Sequence, residues 1–470
     1  MEYGLAPRDV ELADIVSRDY ILAPSSLRFF RIKNKNTKPL RGLITSRDKG
    51  KEVGSFAYVS KSSKFFIRNK ALKKGHWIIF TKGTEEIIPI NPLSFINSAL
   101  DEGDILISKD SNIGECAILP SAKYKQDYMI SGGMNRLKID HNRLYIFSIM
   151  KSNFFREQIH SLTPRGATLK HAKELYLDCI IPFPNGKNAQ KTKERIESLA
   201  QQIISNEQDM LSKYQMIIQL VKDELEKNQN KATFSYSYPD LIEIERTYRL
   251  DASIYCEDYK KNVFFVKNYS EGYSTLRTLG FKEKRGSSLE IKGLGARADS
   301  ETAKSGFKAL ILPTNISEYG TLEKIEYIGV KKDLVKVNRW DIVFGGEATR
   351  RLFVLCEKLE DAVTNYHGIK IYKETPEPVE SIFIWAFLSY WKDIGVLDHI
   401  AVGGQGGHLA PEYFDYLTIP KFPSEIKKKI AHLYYNDKSE DGVYQLHLQN
   451  KKLESEIDIL IKKIVDDESV

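Results

Sequence analysis

The stretch "GDILISKD" at residues 103–110 has a counterpart, "WDIVFGGE", at residues 340–347, so that Asp104 and Asp341 stand 237 positions apart. Four further pairs follow in the same order. "YILAPSS" (20–26) answers "YRLDASI" (248–254) at an offset of 228, and "YIFSIMKSNFF" (145–155) answers "SIFIWAFLSYW" (381–391) at 236. "RGATL" (165–169) answers "QGGHL" (405–409) at 240, and "IIPFP" (180–184) answers "TIPKFP" (418–423) at about 238. One short match means little, but five in constant order and at nearly constant spacing imply two copies of one domain.

A chain of 470 residues is too long for one ordinary core, so each copy is expected to bury its own. Short apolar or alternating runs ("DILI", "CAIL", "RLKI" in the first copy, "DIVF", "LFVL", "IKIY" in the second) read as strands. Residues 145–155 and 381–391 read as short buried helices whose aromatics pack a core. The expected fold class is therefore α+β: two repeated mixed α/β domains separated by long helices that form an antiparallel coiled-coil spacer. The boundaries are a first domain at 1–187, a first long helix at 188–230, a second domain at 231–422 and a second long helix at 423–470.

The helices follow a proline-bearing strand end in each copy, "PFPNGKN" and "PKFPSE". In the first, Ile196, Leu199, Ile203, Met210, Ile217, Val221 and Leu225 recur at helical spacings, with charged and amide residues between them. About forty residues at roughly 1.5 Å each span about 60 Å, more than a compact domain needs. The second shows Leu453, Ile457, Leu460, Ile461 and Ile464 in its later part, and "NDKSEDG" (436–442) breaks its early part. A long helix with one apolar stripe is not stable alone in water, so these residues are expected to pair the helices with each other or to bind a partner.

Charge points to a polyanion. The net charge is only +7, but residues 28–74 hold fifteen basic residues against Asp48 and Glu52, with Phe29, Phe30, Phe56, Tyr58, Phe65 and Phe66 interleaved. Catalytic patterns are missing by contrast. There is no Walker-type phosphate loop, and "GLGAR" (293–297) lacks dinucleotide-binding spacing. "NPLSF" (91–95) falls short of an adenine-methyltransferase motif, having neither the second proline nor the final aromatic in place. Asp258 with "EIK" (290–292) fits a magnesium-nuclease pattern only loosely. The nine histidines are dispersed, and Cys116, Cys179, Cys256 and Cys356 read as reduced, partly buried thiols, so no metal site is expected. No membrane-spanning run or signal sequence is seen, and the cytoplasm is the expected location.

Two copies of an aspartate strand-turn, a glycine-bearing loop ("RGATL", "QGGHL") and an "IPFP"-like exit into a long helix resemble the specificity subunit of type I restriction-modification systems, along essentially the whole chain. "RLDASIY" (249–255) resembles the opening of that family's target recognition domain. The resemblance implies a non-catalytic, sequence-specific subunit of a DNA methylation and phage-defence complex, reading a two-part site in double-stranded DNA. Its partners would be methyltransferase subunits, in two copies, which carry S-adenosylmethionine, with room for restriction (motor and nuclease) subunits. This chain would hold no cofactor.

Expected DNA contacts in the first copy are Lys33, Lys35, Arg41, Arg47, Lys61, Lys64, Arg68, Lys109, Asn112 and Arg165. In the second they are Arg277, Lys284, Arg285, Arg297, Lys304, Arg350, Arg351, Gln405 and His408. Two other readings stay open: a single-chain DNA nuclease, which would cleave in magnesium, and a defence scaffold that binds DNA only loosely.

Overall fold

Each strand-turn begins with a buried aspartate that ties three chain segments together. In the computed structural model, which describes residues 3–5, 9–16, 20, 27, 29–30, 32–79, 86–120, 127–163, 174–347, 350–402, 407–409 and 411–468, the Asp104 side chain accepts the N–H of Asp101 at 2.8 Å. Its carbonyl accepts from Leu119 at 2.9 Å, while Gly103 donates to the Leu119 carbonyl at 2.8 Å. Asp341 repeats the set: its side chain accepts from Asn338 at 2.7 Å, its carbonyl accepts from Leu355 at 3.0 Å, and Trp340 donates to the Leu355 carbonyl at 2.7 Å. Burial raises both carboxyl groups above their usual range, and each faces a cation from a neighbouring strand, Arg136 at 3.5 Å or Lys370 at 3.1 Å. The turn needs a positive φ before the aspartate. Gly103 supplies +82° without strain, whereas Trp340 is held at +72° between the Arg339 guanidinium, 4.7 Å from its ring, and Tyr435, at 5.4 Å.

The chain divides into two units, Met1–Asp209 with Leu448–Val470, and Met210–His447. In unit 1 the strand after Asp104, Ile105–Ser108, lies third in an antiparallel sheet ordered Ser46–Lys49, Met134–Lys138, Ile105–Ser108, Cys116–Ile118. Its side chains alternate between two cores, as the period of a strand requires. Ile105 and Ile107 pack with the helices Arg143–Lys151 and Asn153–Leu162, and Leu106 packs with Ile67, Ile87 and Met134 on the other face. Unit 2 has the same sheet, ordered Lys282–Arg285, Gly368–Tyr372, Ile342–Gly345, Leu352–Val354.

The second sheet is shared in form as well. In unit 1 it runs Ile87–Ile90, Lys64–Ile67, Tyr128–Ile130, and in unit 2 Glu326–Gly329, Lys308–Ile311, Val363–Thr364, with the last pair parallel in each. Unit 2 adds Ala298–Ser300 at the edge. Two-stranded ribbons, Thr37–Pro39 with Ile180–Pro182 and Tyr273–Thr275 with Thr418–Pro420, complete the repeat. The aromatic run of unit 2 is the helix Pro378–Asp393, where Trp385 is buried and its indole N–H donates to the Leu352 carbonyl at 3.1 Å. The expected mixed α/β repeat is thus present.

The long helix is Ala189–Lys227. The second segment is two helices, Ser424–Tyr434 and Val443–Val465, parted where "NDKSEDG" was expected to break it. In unit 1 the two long helices touch antiparallel: Arg195 pairs with Glu456 at 2.7 Å and Asn206 donates to Asn450 at 2.8 Å. The apolar stripe is not a partner surface, however. Ile196, Leu199 and Ile203 join Ile457, Ile461 and Ile464 within the unit 1 core, with Leu453 and Leu460 packed against it; Met210, Ile217, Val221 and Leu225 are likewise buried. A stripe looks the same in sequence whatever covers it. Here the domain does, and Glu207 pins the helix down by accepting the N–H groups of Trp77 and Ile78 at 2.9 and 2.8 Å. Ile457→Ala is therefore expected to destabilise the chain by about 2–5 kcal/mol, and Ile459→Ala on the exposed face by under about 0.5 kcal/mol, in urea unfolding. Equal small effects would return Ile457 to a partner surface.

Candidate nucleic-acid interface

One corner of the four-stranded sheet is built twice from the same backbone bonds. In unit 1 Gly50 donates to the Met134 carbonyl at 3.0 Å and Lys109 to that of Gly133 at 2.9 Å. In unit 2 Gly286 donates to the Gly368 carbonyl at 2.8 Å and Gly346 to that of His367 at 3.0 Å. Both corner glycines are required, because a Cβ on Gly50 or Gly286 would stand 2.1 Å from the carbonyl oxygen of Ser131 or Asn365. The register makes Lys49 equivalent to Arg285, Asp110 to Glu347, and Gly132 and Gly133 to Tyr366 and His367.

The contents differ. In unit 1 the glycines leave a concave site of about 580 Å³, lined by Lys49, Lys51, Glu52, Lys109 and Asp110 as well as by Gly50, Gly132 and Gly133. Burial, and then the nearby Lys49 ammonium, hold the Lys109 amine below its ordinary range. In unit 2 the same place holds side chains. The Arg285 guanidinium stacks 4.5 Å from the centre of the Tyr366 ring and donates to His408 Nε2 at 2.7 Å. Glu347 lies between two imidazoles, with His408 Nδ1 at 3.1 Å from one oxygen and His367 Nδ1 at 2.8 Å from the other. The glycine-bearing loop reaches this corner, since Leu409 donates to the Gly346 carbonyl at 2.8 Å and His408 bridges Glu347.

Of the residues expected to touch DNA, the structure gathers Lys109 in one corner and Arg285 and His408 in the other. Arg165 and Gln405 lie outside the described residues. Several of the rest face acidic partners: Lys33 with Asp466 at 3.8 Å, Arg41 with Asp178, Arg47 with Glu174 at 2.7 Å, Lys64 with Asp127 at 3.1 Å, Arg277 with Asp415 at 3.0 Å, and Arg297 with Asp299 at 2.9 Å. The local basic excess is thereby partly neutralised by acids distant in sequence. Lys35, Lys61 and Lys284 are exposed, Lys304 lies 5.6 Å over Phe307, Arg68 is half-buried, and the exposed Asn112 donates to the Leu72 carbonyl at 3.2 Å.

Arg350 and Arg351 are internal braces instead of surface contacts. Arg350 is 3% exposed, donates to the Gly346 carbonyl at 2.9 Å and faces Asp398 at 3.3 Å; Arg351 donates to the Ile316 carbonyl at 3.0 Å and pairs with Glu318. Sequence reading passed over Lys49, Lys51, Glu347, Tyr366 and His367 as site residues. The signal for two of the corner positions was present: Lys49 and Arg285 stand 236 apart, within the offsets of the repeat.

Among the described residues no group of three or more His, Cys, Asp or Glu side chains is placed to hold a metal ion, and no helix is long and apolar enough to cross a membrane. Asp258, the nuclease candidate, faces His399 at 3.4 Å. The depressed Lys109 amine gives a direct check on the unit 1 corner. In pH-dependent acylation followed by peptide mass analysis, Lys109 is expected to react at lower pH than a free lysine side chain, and Lys49→Met to move that titration upward. A Lys109 titration at the ordinary position, unmoved by Lys49→Met, would contradict the crowded corner.

No family model and no curated protein matches the chain. Solved structures do. The type I restriction-modification system S subunit from M. genitalium aligns with 93% of this chain and 97% of its own at 11% identity and a TM-score of 0.34. The HsdS subunit from Thermoanaerobacter tengcongensis aligns over 92% and 97% at 10% identity and a TM-score of 0.29. A chain from a structural study of complex assembly and conformational transition in the type I restriction-modification system aligns over 94% and 100%, again at 10% identity and 0.29. It is to S subunits of type I restriction-modification systems that this chain is similar, over nearly its whole length.

Proposed function

We propose that the chain is the sequence-reading subunit of a type I restriction-modification complex, each unit reading one half of a two-part double-stranded DNA site and the chain performing no chemical step itself. The observation that carries this is the corner built twice on one backbone with unlike, cation-bearing contents. Two different half-sites require that arrangement: constant geometry against the duplex, variable side chains against the bases. Lysines at the rim supply phosphate contacts and affinity, while arginine and amide or imidazole groups supply choice among base edges.

The methylating activity, with its S-adenosylmethionine, belongs in this reading to methyltransferase partners bound in the cytoplasm. Their docking surface is sought among residues still exposed. Tyr238, Leu241, Tyr248 and Leu250, each more than four-fifths exposed around the short helix Leu241–Thr247, offer apolar area of the kind protein partners cover.

Lys35, Lys49, Lys51 and Lys61 are exposed and have no ion-pair partner among the described residues, so they are the cations most available to phosphates. Replacing all four by alanine is expected to weaken duplex binding broadly in fluorescence anisotropy titrations. The slope of log affinity against log salt is expected to fall by about 0.9 for each phosphate no longer neutralised. An unchanged slope would sink the assignment of this face to DNA.

A further inference from the structure

The unit 2 corner presents an arginine whose direction is already set. We propose that Arg285 is the residue through which unit 2 selects a guanine in its half of the site, by way of the N7 and O6 acceptors on the major-groove edge, with Tyr366 and His408 as positioning residues. This rests on the DNA-reading function proposed above and names the base and the side chain that reads it.

Each member of the group is fixed through its backbone. Arg285 ends the strand Lys282–Arg285 and lies opposite Ile369. The turn carrying Tyr366 is tied on both sides, because Gly286 donates to the Gly368 carbonyl at 2.8 Å and Gly346 to that of His367 at 3.0 Å. His408 is bridged to Glu347 and Val402, and its N–H donates to the Val402 carbonyl at 2.6 Å. The side chains then lock one another. A guanidinium has no acceptor, so the 2.7 Å bond between Arg285 Nη2 and His408 Nε2 makes the imidazole nitrogen the acceptor and leaves the proton on Nδ1, which donates to Glu347 at 3.1 Å. The other Glu347 oxygen takes His367 Nδ1 at 2.8 Å, and the Tyr366 ring lies 4.5 Å from the Arg285 guanidinium.

The remaining donors define the ligand. Of the N–H groups that the guanidinium holds in one plane, the described residues take one, at Nη2. Nη2 carries two hydrogens, so whichever of them faces His408, two parallel donors remain along one edge, Nη2 with either Nη1 or Nε. Two parallel donors need two acceptors side by side. Among the major-groove edges guanine alone offers them: adenine sets a donor beside its acceptor, cytosine shows a donor, and thymine shows one acceptor beside a methyl group. A phosphate also has two acceptors, but a mobile lysine meets it equally well. An arginine held by a ring and an imidazole has lost its freedom before binding and can be selective. The group is open to such a ligand, Tyr366 being 48% exposed and Arg285 half-buried.

The test uses the full chain and a duplex that it selects from a random pool, with guanines replaced one at a time by 7-deazaguanine, which keeps base pairing and removes the N7 acceptor. At one guanine in one half the replacement is expected to weaken binding by the wild-type chain about tenfold, and binding by Arg285→Met less than about twofold. Tyr366→Ala and His408→Ala are expected to reduce the sensitivity at that same guanine, and Tyr366→Phe to keep it. Retained preference in the other half shows that a variant folds, and Arg285→Ala stands in if Arg285→Met loses both halves; loss of both halves in both variants would make Arg285 a folding residue and overturn the inference. No sensitive guanine in the wild type would overturn it too. So would sensitivities that all survive in the arginine variants, with every duplex weakened alike, since that is the mark of a phosphate contact. Wild-type sensitivity in Tyr366→Ala would remove its positioning role. No selected sequence at all would instead overturn the DNA-reading function, and the inference with it.

Discussion

A carboxylate buried at the head of the central strand sets the geometry on which the twice-built corner depends. An ionised carboxyl group in a core is costly unless donors and a cation surround it, so Asp104 and Asp341 each draw a backbone N–H and a basic side chain from the neighbouring strand toward themselves. That fixes where the third strand starts relative to the second. A register slip of one residue would send every side chain of the strand into the wrong one of its two cores, so fixing the start also fixes where the strand ends, at the corner. The substitution of Trp340 for the glycine of the first copy shows how strongly the turn is imposed, because an aromatic residue is held at a φ of +72° to preserve it.

The second constraint is the close approach of chain segments at Gly50 and Gly286, where no side chain fits. Together the buried aspartate and the corner glycine determine the backbone and leave the surrounding positions free. Gly132 and Gly133 open a cleft in one unit, and Tyr366 and His367 fill it in the other. A scaffold whose stability rests on a few interior groups can vary its exposed groups at small cost. This separation of the interior from the exposed corner is what the proposed reading of two different half-sites requires.

The repeat was legible because strand-turns leave local marks: an aspartate, a following aliphatic run, a glycine. The strands, the aromatic helix and the break at residues 436–442 were legible for the same reason. The corner was not, since Lys49, Lys109 and Gly133 meet only through pairing between strands far apart in sequence. Nor does a stripe of apolar residues say what covers it: Ile196, Ile203 and Ile457 were expected to pair the helices with each other or to bind a partner, and they lie together in the unit 1 core. Arg350 and Arg351 misled in a similar way. Adjacent arginines in a loop read as a DNA contact, yet carbonyls and carboxylates of unit 2 surround them. Counting charge along a segment likewise overlooks the distant acids that answer it, as Asp178 and Glu174 answer Arg41 and Arg47.

The most direct test of the proposed two-part reading is a hydroxyl-radical footprint of the full chain on DNA carrying the sequence that it selects from a random duplex pool. The account predicts two protected patches separated by an unprotected interval, with the first abolished when the unit 1 corner is altered at Lys49 and Lys109. Uniform protection along the duplex, or one continuous patch insensitive to that corner, would contradict it.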